Sequence, residues 1–274
     1  MIVSLIIVTI VIGLGIGLFM LFKIARMPKV QPKKIVLEHT QAVNNHLFQA
    51  RQQLHTYISD VLSFYYQGDE NALAARMQHI ASGLHDAQRS LDKFVEGYEP
   101  YTSRSSEAQF IQTATAYHTA AQQFIGQLRD VVADLQVLQQ FTIGIRAISK
   151  QAESLSQFVD EADTTKQTQL ADQLTVVLRL CDDLHSIKVE PLKLPQGKTV
   201  YGSLQQAIQK LAESYAAAKA QLTADPGQYF KVINAVEPSH LVDSNSYIEL
   251  FGHLIQDTHF EPYQQAIDQL YYQA

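Results

Sequence analysis

The sequence predicts an all-α protein: a single N-terminal transmembrane helix followed by an antiparallel helical bundle or coiled-coil region in the cytoplasm. The first 22 residues carry no charged side chain, and a cluster of basic residues follows them directly. Beyond that cluster, apolar residues recur in alternating steps of four and three, which is the spacing of packed helices. The chain has no strand-like alternation and no glycine-rich phosphate loop.

Residues 1–23 form the predicted membrane anchor. A helix of 22 residues reaches about 33 Å, enough to cross a hydrocarbon core of about 30 Å. A cleaved signal peptide is the alternative, but its charges would precede a shorter apolar core that ends at a small-residue cleavage site. The pair Gly13 and Gly17 would let two such helices pack closely and form a homo-oligomer. The other interpretation is that glycine is simply common in membrane helices.

Residues 24–34 form a predicted basic juxtamembrane linker. The basic cluster at this junction comprises Lys23, Arg26, Lys29, Lys33 and Lys34, and the first acidic residue is Glu38. Because basic flanks remain on the cytoplasmic side, we expect a single-pass protein of the cell membrane with its N-terminus outside and its helical body inside. The same charges would attract anionic lipid head groups.

The charge balance argues against nucleic-acid binding. Of 21 basic and 27 acidic residues, five basic residues lie in the cluster, which leaves 16 basic against 27 acidic, a formal charge of −11. Nucleic-acid binding normally needs a basic face. The single cysteine, Cys181, excludes an internal disulfide and is compatible with a reducing compartment.

Residues 35–189 are predicted to form the main bundle of long helices. The heptad stripes break at Gly68 and again near Pro100, which separates three helices. These breaks favour a bundle within one chain over an intermolecular coiled coil. In the third stripe the step from Leu138 to Phe141 follows another step of three, which is a stammer. We expect this helix, over about residues 106–160, to continue past Gly144 or to bend gently there.

The C-terminal part is predicted to begin after a linker. Residues 190–199 contain two prolines and a glycine and are assigned to that linker. Residues 200–274 form a predicted C-terminal helical region, with a heptad stripe over residues 204–222 and further helices expected near residues 243–257 and 262–272. Helices in its last part are interrupted by Pro226, Pro238 and Pro262, so we expect shorter helices there than in the bundle.

The search for chemistry leads to no enzyme, no metal and no cofactor. The ten histidines include no His-Glu-x-x-His motif and no two Glu-x-x-His motifs on facing helices, so neither a zinc-protease site nor a di-iron site is predicted. Asp182, Asp183 and His185 are interpreted as a solvated helix face. Cys181 lies on an apolar stripe and is expected to be a buried structural thiol. Tyr117 and Tyr215 lie on stripes too, and we expect core rings whose hydroxyls reach outward.

The aromatic tail is the candidate surface for a protein partner. Aromatic side chains anchor many interfaces. The residues concerned are Tyr247, Phe251, Phe260, Tyr263, Tyr271 and Tyr272. The alternative is that these residues form the core of a terminal helical pair.

These features predict a scaffold or adaptor that binds other, unidentified proteins at the cytoplasmic face of the membrane. A sensory or ligand-binding bundle coupled to the anchor is the alternative from another class, although no signalling module or polar pocket is visible. The layout of anchor and helical body is similar to that of bacterial septation-ring regulators with spectrin-like repeats. That likeness is architectural, so a role in the cell envelope or in division is a further alternative, and no residue is carried over.

Overall fold

The computed structural model describes residues 32–68, 70–102, 107–156, 164–188, 192–225, 252, 254 and 260–273. Within these residues the chain is helical and contains no strand, which confirms the all-α prediction for this part of it. The six α-helices are α1 (Pro32–Gln67), α2 (Glu70–Tyr98), α3 (Ala108–Ser156), α4 (Thr164–His185), α5 (Pro195–Ala224) and α6 (Phe260–Gln273). A short 3₁₀ turn, Glu99–Tyr101, follows α2.

The transmembrane part of the predicted fold receives no support from the described helices. None of them is both long enough and apolar enough to cross a bilayer. The predicted span over residues 1–23 lies outside the described residues, together with Gly13 and Gly17. The anchor therefore stays a prediction from the sequence.

Helices α1 and α2 form an antiparallel hairpin, as the heptad stripes indicated. The hairpin turns at Gly68, whose φ of +84° lies in the left-handed region that favours glycine. The Gly68 amide donates a hydrogen bond to the Phe64 carbonyl at 2.7 Å. At the other end of the hairpin, the helices approach so closely that a Cβ on Gly97 would lie 3.2 Å from Ile35 Cγ2. These two contacts align the helices along their whole length.

 Helix α3 is the longest described helix and contacts each of the other five described α-helices. At 1.5 Å per residue its 49 residues extend over about 70 Å. It continues without a break past Gly144, as expected, and the stammer interrupts neither the helix nor its stripe, because Leu138, Phe141 and Ile145 are all buried.

The middle of α3 is buried on more than one face. Besides its heptad stripe, this stretch buries residues that the single-stripe prediction left on the surface, namely Ile125, Val132, Asp134 and Thr142. A helix that is apolar around most of its circumference belongs inside a fold. Helix α3 is therefore the central helix that the others cover.

Helices α4 and α5 form a second antiparallel hairpin on the C-terminal half of α3. The Leu184 side chain of α4 occupies the space that a side chain at Gly144 would need. On α5, the Tyr201 ring meets the Phe141 ring edge to face, with 5.2 Å between their centroids. The Tyr201 hydroxyl also donates to the Ile187 carbonyl at 2.9 Å, which ties α5 to the turn that precedes it.

The turn of this second hairpin is fixed by a buried carboxylate on α3. Asp134 is fully buried and accepts hydrogen bonds from the amides of Lys193 at 2.7 Å and Leu194 at 3.0 Å. Leu194 is the N-cap residue of α5 and has no capping side-chain bond, so Asp134 holds the entry to α5 from another helix, a contact here called the Asp134 cap. Burial raises the Asp134 pKa, and the two amide hydrogen bonds lower it in part.

Helix α5 begins inside the segment that the sequence assigned to a linker. Its first residue is Pro195, so residues 195–199 of the predicted linker are helical. Proline is common at the first position of a helix because its missing N–H would have no partner there and its φ already suits the helix. The proline was therefore a start signal for α5 rather than a sign of an extended linker.

Helix α6 packs on the N-terminal half of α3 and closes a four-helix arrangement with α1 and α2. It confirms the helix expected near residues 262–272. Helix α2 packs between α1 and α3, and α6 contacts the same two helices from the other side, so α2 and α6 lie diagonally. The helix expected near residues 243–257 lies outside the described residues, apart from residues 252 and 254.

The two glycines of α5 test the role of the Asp134 cap. A Cβ at Gly197 would overlap the Asp134 carboxylate, whereas nothing lies within 4 Å of one at Gly202. We expect Gly197→Ala to displace the carboxylate and lower the free energy of unfolding by about 1–2 kcal/mol, the usual value of a lost cap. Gly202→Ala in the same helix should raise it by about 0.5–1 kcal/mol. Urea denaturation followed by circular dichroism measures both, and equal effects of the two variants would contradict the cap.

Candidate functional site

Helix α6 is held in the groove between α1 and α3 by two aromatic side chains. The Phe260 ring lies 5.6 Å from the Phe48 ring and 5.7 Å from the Phe124 ring, centroid to centroid. The Arg51 guanidinium covers Phe260 at 4.3 Å from the ring centroid, a cation–π contact. One turn further along α6, Tyr263 stacks on Phe124 at 5.0 Å. Phe260 and Tyr263 thus attach α6 to the bundle.

Three buried polar side chains, here called the Asn44 cluster, join α1, α3 and α6. They are Asn44, Tyr117 and Tyr263. The Tyr117 hydroxyl donates to Asn44 Oδ1 at 2.8 Å, the Tyr263 hydroxyl donates to the same oxygen, and the two hydroxyl oxygens lie 3.5 Å apart. Burial raises the pKa of both phenols well above the ordinary value, so both are neutral at physiological pH. The cluster can orient a helix but supplies no acid or base near neutrality.

The two stripe tyrosines differ from the prediction in the direction of their hydroxyls. We expected both to reach outward, but the Tyr117 hydroxyl points into the bundle and bonds Asn44. The Tyr215 hydroxyl is also buried, and no group in the described part of the chain pairs with it. The rings are core residues as predicted, while the prediction for the hydroxyls was wrong because α6 and the α4–α5 hairpin enclose them.

The predicted aromatic partner surface divides into buried and exposed residues. Phe260 and Tyr263 face the bundle, with Tyr263 only 1% exposed. Tyr271 and Tyr272 lie at the end of α6 and are 45% and 88% exposed. Tyr247 and Phe251 lie outside the described residues. Of the four described aromatics, Tyr271 and Tyr272 therefore remain candidates for contact with another molecule.

The end of α6 meets the beginning of α1, where two residues of the basic cluster lie. Lys33 Nζ donates to the Gln273 carbonyl at 3.0 Å and lies 5.2 Å from the Phe110 ring centroid. The Lys34 side chain is 75% exposed, with Glu38 Oε1 4.0 Å from its Nζ atom, a surface pair that contributes little. We call this surface, made of Lys33, Lys34, Tyr271 and Tyr272, the α1–α6 end. Lys23, Arg26 and Lys29 lie outside the described residues.

The described titratable side chains elsewhere include a buried thiol on α4 and its exposed polar neighbours. Burial, with a smaller effect of the Asp182 charge, raises the Cys181 pKa to about 11, so this buried thiol is protonated at neutral pH. Asp182, Asp183 and His185 are exposed beside it. Across the described ranges, no three His, Cys, Asp or Glu side chains are grouped to hold a metal ion.

Asn44 and Asp134 are the structurally decisive polar residues that the sequence analysis passed over. Asp134 lies within an apolar stretch of α3, between the valines at 131 and 132 and Leu135. An acid in such a stretch needs a partner when buried, which is a signal that the sequence does contain. Asn44 gave no comparable signal, because it stands beside Asn45 and next to the α1 stripe.

Comparison with known proteins assigns the chain to no family. It matches no protein-family model, no curated protein and no solved structure.

A pair of tyrosine substitutions separates bonded from unbonded hydroxyls. Tyr117→Phe removes a buried hydrogen bond and should lower the free energy of unfolding by about 0.5–1.5 kcal/mol. Tyr215→Phe removes a buried hydroxyl that lacks a described partner, so stability should be unchanged or higher, since leaving such a group unpaired costs about 1–3 kcal/mol. Urea denaturation at pH 7 measures both changes. A larger loss for Tyr215→Phe than for Tyr117→Phe would contradict this assignment.

The buried phenols also predict a loss of stability in alkali. Burial raises the pKa values of Tyr117, Tyr215 and Tyr263 in the folded chain, whereas the unfolded chain titrates near 10. The unfolded chain therefore releases these protons first. Their contribution is constant below about pH 10 and falls above it by about 1.4 kcal/mol per pH unit for each tyrosine. Urea denaturation across this range should show a shallower fall for Tyr215→Phe than for the wild type, and identical slopes would contradict the prediction.

Proposed function

We propose that this protein is a membrane-anchored helical scaffold or adaptor that binds other proteins at the cytoplasmic face of the cell membrane and catalyses no reaction. The observation that carries the proposal is the junction between the uncharged run of 22 residues and the five basic residues that follow it. Such a junction is typical of a single span with its basic flank in the cytoplasm. Helix α1 begins at Pro32, within this basic flank.

The form of the helical body supports a role in binding other proteins. Helix α3 extends over about 70 Å, so the body offers a long surface on which separate partners have room to bind. The chain beyond the basic cluster has a formal charge of −11, from the counts above, which repels anionic lipid and favours a body that projects from the membrane. Protein binding along the outer faces of its helices fits this combination of length and charge.

The orientation of the anchor is tested with reporters fused after Ala274 of the full-length chain. A fluorescent protein that matures only in the cytoplasm should be active, and a phosphatase that works only after export should be inactive, because the basic cluster keeps the body inside. As a control, replacing Lys23, Arg26 and Lys29 by glutamine should weaken the preference for this orientation. Phosphatase activity of the unaltered chain would overturn the topology.

The scaffold role is tested by asking which proteins depend on this chain for their place at the membrane. Crosslinking in intact cells, followed by purification of the full-length chain, would identify bound proteins. The membrane-bound fraction of a genuine partner should fall when the chain is deleted. It should return with the full chain but not with residues 1–34 alone. If no protein shows this dependence, the scaffold proposal fails.

A further inference from the structure

We propose that the α1–α6 end is a second membrane contact, in which Tyr271 and Tyr272 enter the interfacial layer of an anionic bilayer beside Lys33 and Lys34. The inference rests on the proposed function, since it requires the anchor. It assigns the exposed aromatics of the last helix to lipid rather than to a protein partner. It also gives the helical body a defined orientation on the membrane.

The first argument is the length of the chain between the anchor and α1. Ten positions separate Lys23 from Lys33, and a fully extended chain spans at most about 3.6 Å per residue. Lys33 therefore lies within about 36 Å of Lys23. The start of α1 cannot leave the neighbourhood of the bilayer surface once the anchor is in place. Tethering at this distance gives a high effective concentration of lipid at this end.

The second argument is that α6 returns to this tethered point. The bond from Lys33 Nζ to the Gln273 carbonyl joins residues that are 240 positions apart in the chain. Tyr271 and Tyr272 belong to the same last turn of α6, so they share the position of Lys33 near the membrane. The Asn44 cluster and the Phe260 contacts hold α6 in this register.

The third argument is the chemistry of the exposed side chains. Tyr272, at 88% exposed, has the most exposed large ring among the described residues, and Tyr271 is 45% exposed beside it. Tyrosine is enriched where membranes meet water, because its ring is apolar and its hydroxyl remains hydrated. Lysine complements it, since the stem lies along apolar surface while the ammonium group reaches anionic head groups. This pairing suits a bilayer surface.

The charged residues at the same end of the bundle favour membrane contact on one side of it. Helix α2 ends here with exposed Glu96, and the exposed Glu99 follows in the 3₁₀ turn. Because α2 lies diagonally opposite α6, these two acids lie away from Tyr271 and Tyr272, whereas on the α1–α6 side Glu38 is paired with Lys34 and Asp268 is exposed. We therefore expect the body to tilt so that the α1–α6 side faces the anionic lipid and the α2 side faces away.

The absence of tryptophan from the sequence makes a direct test available. Tyr272→Trp places a single tryptophan in the full-length chain at an exposed position, where the larger ring needs no rearrangement. The protein is reconstituted into vesicles of phosphatidylcholine and phosphatidylglycerol, with or without bromine on the acyl chains near the head groups. We expect brominated lipid to quench the tryptophan emission and the emission maximum to lie to the blue of that of a free indole in water.

The control is Val176→Trp on α4, where the native side chain is 45% exposed, the same fraction as for Tyr271. Helix α4 runs antiparallel to α3 from beyond Gly144, so Val176 lies about 60 Å along the bundle from the α1–α6 end. Its tryptophan should not be quenched. Quenching of both tryptophans would mean that the whole body lies on the bilayer and would overturn the assignment to this end.

The remaining outcomes separate this inference from the anchor. If the protein fails to float with the vesicles, the anchor is absent and both proposals fall. If it floats but brominated lipid leaves the emission of Tyr272→Trp unchanged, the anchor stands and the second contact is excluded. Vesicles of phosphatidylcholine alone should give weaker quenching. Equal quenching would show that the lysines do not contribute to the contact.

Discussion

Burial of the central helix is the constraint on which the remaining structure depends. Helix α3 extends over about 70 Å and buries side chains on more than one face in its middle, and no single neighbour can cover such a surface. The α1–α2 hairpin covers one side, whereas α6 and the α4–α5 hairpin cover successive parts of the rest. The fold is thus one central helix on which three separate units pack.

Two buried polar contacts determine where α6 and the α4–α5 hairpin lie along α3. Apolar heptad stripes alone allow a helix to shift by a heptad at little loss of contact. The Asn44 cluster fits α6 in one register only, and the Asp134 cap does the same for the turn of the second hairpin. A shift of either element would leave buried hydrogen-bonding groups unpaired, which is expensive in a low-dielectric interior. Apolar burial drives association here, while these few polar groups specify the alignment.

Periodicity revealed the helices of this chain, but not the polar groups that align them. The stripes located α1, α2 and α3, because heptad spacing is a local property of the sequence. The pairing of Asp134 with the amides of residues 193 and 194 joins positions about 60 apart, and that of Asn44 with Tyr263 joins positions 219 apart. Local patterns cannot predict such partners. For the same reason the aromatic tail could not be divided into buried Phe260 and Tyr263 and exposed Tyr271 and Tyr272 before the partners of α6 were known.

The position of α6 at the end of the chain has a consequence for synthesis. The groove between α1 and α3 exists once residue 156 has been made, but the helix that fills it ends more than 100 residues later. At translation rates of 5–20 residues per second, that groove stays open for roughly 6–23 s. During this interval the nascent chain exposes Phe48 and Phe124, together with Asn44, which still lacks its hydrogen bond from Tyr263. A chaperone has time to bind there, and a chain cut short before residue 260 would keep that apolar groove as a mark of an incomplete product.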